Sequence, residues 1–308
     1  MGRSKTSSAA ESPKWLELSC TADGEAAETV CELFSRFAGN RVALQQEPVK
    51  SGDGVELELS PRATITAYLP AGKVAERAVA ELERSLWLLG VLRPVGELQV
   101  RPVEESDWAE AWKEHFPVHR VGGRVVIKPS WREYDAKPDD VVVELDPGMA
   151  FGTGLHPTTQ MMLIELQERL TTDATVLDVG CGSGILAIAA AKLRARRVVA
   201  VDVDPVAVRV TRENLKINGV GRQVRVARGS VPQPAKYDLV LMNIFARVLV
   251  ELAEPLAATL RPGGVAVTSG LIEEHAEAVV AAFAAAGLHE LARRQSGDWL
   301  ALTVARIA

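Results

Sequence analysis

No apolar run in this 308-residue chain approaches the roughly 18 consecutive residues of a membrane span. Cysteine is scarce as well. The three residues Cys20, Cys31 and Cys181 are odd in number and far apart, which excludes a disulfide framework and zinc-ligand spacing. An excess of basic charge is also missing. Forty Asp and Glu outweigh thirty-five Lys and Arg, for a net charge of −5, so the chain as a whole carries no basic footprint for nucleic acid. Residues 1–13 are polar and rich in Ser and Ala, without the apolar segment of a signal peptide. They read as a disordered tail. The expectations are a cytoplasmic monomer with no membrane partner and no direct nucleic-acid partner.

What is present is enough apolar residue, 47%, for real cores, over a length that suggests two domains. The most informative stretch is Val176-Leu-Asp-Val-Gly-Cys-Gly-Ser-Gly-Ile185. An apolar strand ends in Asp178, Gly180, Gly182 and Gly184 follow at alternate positions, and an Ala-rich helix begins. Glycine lets a ligand approach the backbone, and a helix start offers unpaired N–H groups. Dinucleotide sites use G-x-G-x-x-G. Here the third glycine comes one residue early, a form common among S-adenosylmethionine (SAM) methyltransferases. Val198–Asp202 is a second apolar strand ending in an acid, near the offset of about 20 residues at which a carboxylate meets ribose hydroxyls. Asp202 reads either as that partner or as a helix cap. Asp204, directly before Pro205, fits the cap better.

Before this turn, strands and helices follow the order β-α-β-β-α-β over residues 14–102, a ferredoxin-like arrangement. The helices read as 24–37 and 71–89, the second with Val74, Val79, Leu82, Leu86 and Leu89 on its apolar face. Residues 103–117 carry Trp108 and Trp112 four apart on a candidate linker helix. A hairpin is expected around Gly122-Gly123, and a strand over Val141–Leu145. The stretch Asp146–Thr159, with three glycines and three threonines, is a loop able to wrap a small ligand. Thr158 and Thr159 read as ligand contacts or helix caps. His156 reads as a general base, a cap or a surface imidazole. From Thr175 onward strands and helices alternate, which argues a parallel, doubly wound sheet. Its strand ends bring Gly180, Asp202 and Asn243 to one edge. Asn243 reads as a holder of ligand or amine, or as a helix cap.

Trp108–Trp112, Pro129–Trp131, Asp146–Thr159, Asp178–Gly184, Asp202–Pro205 and Asn243-Ile244 together resemble the PrmA family, bacterial methyltransferases of ribosomal large-subunit protein eleven. The resemblance runs from Trp15 onward and is most specific over Asp146–Thr159. It implies a class I SAM-dependent methyltransferase domain over 118–308, Rossmann-like with an antiparallel last strand. It also implies a small N-terminal α+β substrate-recognition domain and a linker helix between them. The implied reaction is N-methylation of lysine side chains, and of an N-terminal amine, with SAM as methyl donor. Carried over by motif, Thr159, Gly180, Gly182, Asp202 and Asn243 contact SAM. Phe151, Gly152, Thr153 and His156 belong to the loop over it. Asn243 and His156 are the catalytic candidates, with a dedicated base optional because the sulfonium already activates the methyl group. Leu155 stands where many relatives have Thr, and Phe245 where many have Leu. The alternatives are methylation of another protein lysine or a small amine, and a non-catalytic SAM-binding module.

Overall fold

The computed structural model describes residues 15–38, 42–50, 57–91, 93–103, 118–145, 154, 156–234 and 236–306. Two compact units divide the chain: residues 1–44 with 63–115, and residues 45–62 with 116–308. The expected tail, and the expected linker helix beyond Val103, lie outside the described residues.

The first six elements in chain order are β1 (Trp15–Asp23), α1 (Gly24–Ala38), β2 (Val42–Lys50), β3 (Leu57–Pro70), α2 (Lys73–Gly90) and β4 (Gln99–Val103). The sheet order is β2-β3-β1-β4, with β1 and β4 antiparallel, as the ferredoxin-like reading requires. Alternation along β1 sends Leu18, Cys20 and Ala22 inward against Val30 and Phe34 of α1. Val55–Leu59 and Ala63–Leu69, which read from the sequence as two strands or as one continued after a bulge, form one continuous β3 over Leu57–Pro70. Val74, expected on the apolar face of α2, is 77% exposed. The buried stripe runs through Ala75, Ala78, Leu82 and Leu86, and Val74 lies a hundred degrees off it.

The later part of the chain opens with a three-stranded sheet of β5 (His119–Val121), β6 (Val125–Lys128) and β7 (Val141–Glu144). The hairpin around Gly122-Gly123 pairs Val121 with Val125, as the sequence suggests. Then come α3 (Pro157–Arg169), β8 (Thr175–Val179), α4 (Ile185–Lys192), β9 (Arg197–Asp202), α5 (Pro205–Ile217), β10 (Val224–Arg228) and β11 (Tyr237–Asn243). Two short helices follow, α6 (Ala246–Glu251) and α7 (Ala253–Thr259), with the break at Leu252. β12 (Leu260–Ile272), α8 (Glu273–Ala285), β13 (Leu288–Ser296) and β14 (Trp299–Arg306) close the fold.

The main sheet has the order β10-β9-β8-β11-β12-β14-β13. β14 is antiparallel to both β12 and β13, whereas β8, β9, β10, β11 and β12 pair in parallel. This is the Rossmann-like, doubly wound class with a reversed last strand. Successive residues serve opposite faces: Val176 joins the core on one side of the sheet and Leu177 the core on the other. Helix α4 is buried at every position from Ile185 to Ala191, which explains its all-round apolar sequence. It shares a core with Val125, Ile127, Val141 and Val143 of the three-stranded sheet. The direction of strand order reverses between β8 and β11, so their carboxyl ends form the topological switch point.

Candidate active site

The Gly turn after β8 is held from three sides. Gly180, Gly182 and Gly184 all have positive φ, at 72°, 53° and 83°. Gly180 and Cys181 each donate a backbone N–H to the Val201 carbonyl, at 2.9 and 3.1 Å, fastening the turn to β9. A Cβ on Gly180 would meet Ile244 Cγ2 at 2.5 Å, and one on Gly184 would meet Thr211 Cγ2 at 2.7 Å. Behind the turn, Thr211 Oγ1 donates to the Gly182 carbonyl and Asn214 Nδ2 to the Ser183 carbonyl, both at 2.8 Å. Both residues are buried on α5. Sequence reasoning missed this clamp. Its only signal is a Thr and an Asn three apart on the inward stripe of an amphipathic helix.

Asp202 ends β9 and is buried. Its Oδ2 accepts the Gly182 N–H at 3.0 Å and its Oδ1 accepts the Asp204 N–H at 2.9 Å. Asp204 caps α5, accepting the Val206 N–H at 2.8 Å. The cap and the carboxylate at the strand end are therefore separate residues. Each oxygen of Asp202 keeps further acceptor capacity beyond its one backbone partner.

Asp178, at the carboxyl end of β8, is a second buried acid that sequence reasoning did not single out as a site residue. Burial pushes its carboxyl up to about 7; the Ala187 N–H, donated at 3.1 Å, works against that, and the Asp202 charge adds to it. The Cys181 thiol is raised too, chiefly by burial, and it contacts Thr211 Oγ1 at 3.3 Å. A buried thiol with a raised pKa is a packing residue and a poor nucleophile.

Across the switch point, Asn243 ends β11. Its Nδ2 donates to Thr158 Oγ1 at 3.2 Å and lies 3.5 Å from Thr159 Oγ1. Both threonines are buried in the first turn of α3. His156 is the N-cap of that helix: its Nδ1 accepts the Thr158 backbone N–H at 3.3 Å and lies 2.7 Å from Thr158 Oγ1. Since a backbone N–H can only donate, Nδ1 carries no proton, and the ring proton sits on Nε2. The Thr158 hydroxyl then donates to Nδ1 and accepts from Asn243. Trp299 meets the imidazole edge to face, with centroids 4.8 Å apart and planes at 72°. Burial lowers the His156 pKa to about 4, so the ring is neutral at pH 7.

The other end of α3 is pinned by charge. Buried Glu165 accepts from Arg294 Nε at 2.8 Å, Thr303 Oγ1 at 2.9 Å and Arg169 Nε at 3.2 Å. Burial alone would raise its pKa, but these three donors outweigh it and the net shift is downward. The helix that presents Thr158 and Thr159 is thereby tied to β13 and β14.

Gly180, Gly182, Asp202, Asn243, Thr159 and His156 are thus gathered at the carboxyl edge of the sheet or at the start of the helix beside it. Phe151, Gly152, Thr153 and Leu155 lie outside the described residues. Gly154 is buried with φ 86°, and its carbonyl lies 3.2 Å from His119 Nε2. The donor set fits SAM. A side-chain-free turn can admit a ligand close to the backbone, a carboxylate suits a ribose diol, and the Asn243 amide stands at the neighbouring strand end.

The sequence model of the family described as ribosomal protein L11 methyltransferase (PrmA) matches residues 14–307. A ribosomal protein L11 methyltransferase of Herpetosiphon aurantiacus is 47% identical over 316 residues, covering 94% of this chain and 98% of its own. One from Chloroflexus aurantiacus is 44% identical over 321 residues, covering 95% and 98%. Among solved structures, the ribosomal protein L11 methylase of Lactobacillus delbrueckii subsp. bulgaricus superposes with a TM-score of 0.59 at 31% identity, covering 62% of this chain and 99% of its own.

Proposed function

The chain belongs to the ribosomal protein L11 methyltransferase (PrmA) family, and from that premise we propose that it transfers methyl groups from SAM to lysine side-chain amines, and to the N-terminal amine, of ribosomal protein L11. The observation that carries this reading is the meeting of Gly180, Asp202 and Asn243 at one sheet edge, where the strand order reverses. When bound, SAM supplies a methyl group already activated by its sulfonium. The turn at Gly180–Gly184 and the Asp202 carboxylate would hold it, with Thr159 at the start of α3.

The protein's own task is alignment of the acceptor. Proximity and orientation contribute up to about 7–11 kcal/mol in well-oriented systems. The Asn243 amide is fixed by the Thr158 and Thr159 hydroxyls through Nδ2, which leaves Oδ1 to accept an N–H of the incoming amine and aim its lone pair. A lysine amine has a pKa of about 10.4, so only roughly one in 10³ is neutral at pH 7. Desolvation and a nearby cation both lower that value. His156 is neutral, with Nδ1 occupied by two donors from Thr158, and acts as a positioning group for Thr158 rather than as the base.

The first domain, residues 14–102, serves to recognise the substrate, and residues 118–308 carry the chemistry. No helix among the described residues is long and apolar enough to cross a membrane. A cytoplasmic location follows from the ribosomal substrate. The test is to incubate the purified protein with methyl-labelled SAM and total ribosomal protein from cells lacking the enzyme. One labelled band at L11 supports the reading. Label in RNA, in other proteins or in none overturns it.

A further inference from the structure

The amino ends of β9 and β10 lie at the edge of the main sheet opposite Gly180, Asp202 and Asn243. A cavity of about 660 Å³ opens there, lined by Arg196, Arg197, Arg222 and Arg225 together with Gly221 and Gln223. All four arginines are exposed. Arg101, Arg120, Arg169, Arg261, Arg293 and Arg294 are among the described arginines that hold a carboxylate within 4.0 Å. None of the four around this cavity has a hydrogen-bonded or ion-paired side-chain partner among the described residues. Arg225 pairs with Val199, two residues on from Arg197, so both lie on one face of the sheet. Isolated surface arginines need no explanation, but four unneutralised cations around one concavity repel one another. An anionic partner removes that repulsion.

We propose that this arginine-lined cavity binds the phosphodiester backbone of RNA. The planar guanidinium fork matches phosphate oxygens bidentately. Arg197 and Arg225 are carried on two adjacent strands, whose spacing is about 4.8 Å, and Arg196 and Arg222 lie in the turns just before them, so the four form a row along the sheet edge and not a point. A row suits a chain of phosphates better than one small anion. The whole-chain charge of −5 conceals this, because binding answers to local charge and residues 194–197 and 221–228 contain no acid. The choice of RNA over an acidic protein rests on the reading that the substrate is a ribosomal protein, which resides on RNA. Contact at the amino ends of the strands leaves the carboxyl edge free for SAM and the acceptor amine.

The experiment measures anisotropy of a fluorescein-labelled RNA duplex titrated with the full-length protein at several salt concentrations. Neutralising three or four phosphates gives a slope of log K against log salt of about −2 to −4. The double variants Arg196→Glu/Arg197→Glu and Arg222→Glu/Arg225→Glu each weaken binding at least tenfold and flatten the slope. The matched reversal Arg77→Glu/Arg84→Glu, on α2, does not. SAM binding by calorimetry reports whether the variants are folded; if a reversal unfolds the protein, Arg→Gln versions replace it. Absence of RNA binding at low salt, equal binding by the cavity variants, or preference for polyglutamate or inorganic phosphate over RNA overturns the proposal. Because no methyl transfer is read, its failure is separable from failure of the L11 assignment.

Discussion

Asn243 Nδ2 donates to Thr158 Oγ1 across 3.2 Å, joining the carboxyl end of β11 to the first turn of α3. Thr158 in turn bonds His156 Nδ1 at 2.7 Å, so three side chains from two elements form one chain of hydrogen bonds. Replacing Thr158 by Val removes the middle link. The expected result is a fall in kcat of about tenfold, the effect of one unmade bond of 1–2 kcal/mol, with SAM affinity nearly unchanged. Thr158→Ser restores turnover. Steady-state kinetics beside SAM calorimetry separates this from a loss of cofactor.

His156 is held below its ordinary pKa, at about 4 against 6.5, by burial. Its neutral form is therefore the folded form, and the stability it contributes is present above pH 6.5 and lost as pH falls toward 4. At pH 5 that loss is up to about 2 kcal/mol relative to pH 7. Urea titrations should show the wild type losing more stability over this interval than His156→Asn. His156→Ala should slow methyl transfer without abolishing it, by a factor that stays constant from pH 5 to 8. Complete loss of turnover with normal SAM binding would return the ring to the role of base.

Gly180 combines a φ of 72° with Ile244 Cγ2 at 2.5 Å from where its Cβ would stand. Gly180→Ala should cost about 1–2 kcal/mol for the left-handed conformation alone, with the clash in addition. Adding Ile244→Ala removes the clash and leaves the backbone term. Thermal denaturation of the two single variants and the double variant should therefore show recovery that is partial and never complete.

Asp202 serves the fold by accepting the Gly182 and Asp204 N–H groups, and the function proposed above gives it the ribose diol as well. Asp202→Ala should weaken SAM binding tenfold to a hundredfold, about 1.4–3 kcal/mol, and lower the melting temperature. Asp202→Asn keeps one acceptor oxygen and should fall between. Unchanged SAM affinity by calorimetry would remove Asp202 from the site.

The frame of this site is legible in the sequence because it depends on backbone conformation and strand continuity. Three alternate glycines after an apolar strand, and an acid at the end of the next, leave few alternatives. The separation of Asp204 as cap from Asp202 also follows from local spacing to Pro205. The supports come from distant chain and leave weaker traces. Thr211 and Asn214 look like polar interruptions of an apolar stripe until the Gly turn is laid against them. Trp299 reaches His156 only because β14 inserts antiparallel beside β12. The split between α6 and α7 at Leu252 does have a local signal: Pro255, in the first turn of α7, has no N–H to give the Glu251 carbonyl, so one continuous helix cannot form.

The most direct test of the account is the intact mass of purified L11 after incubation with SAM and either the wild-type protein or Asn243→Ala. The wild type should add mass in whole methyl steps. Asn243→Ala, with SAM binding retained, should add them about a hundredfold more slowly, because the amine loses the acceptor that orients it. An unmodified L11 with the wild type, or equal rates for the two proteins, would contradict the assignment of this edge as the place where the methyl group is transferred.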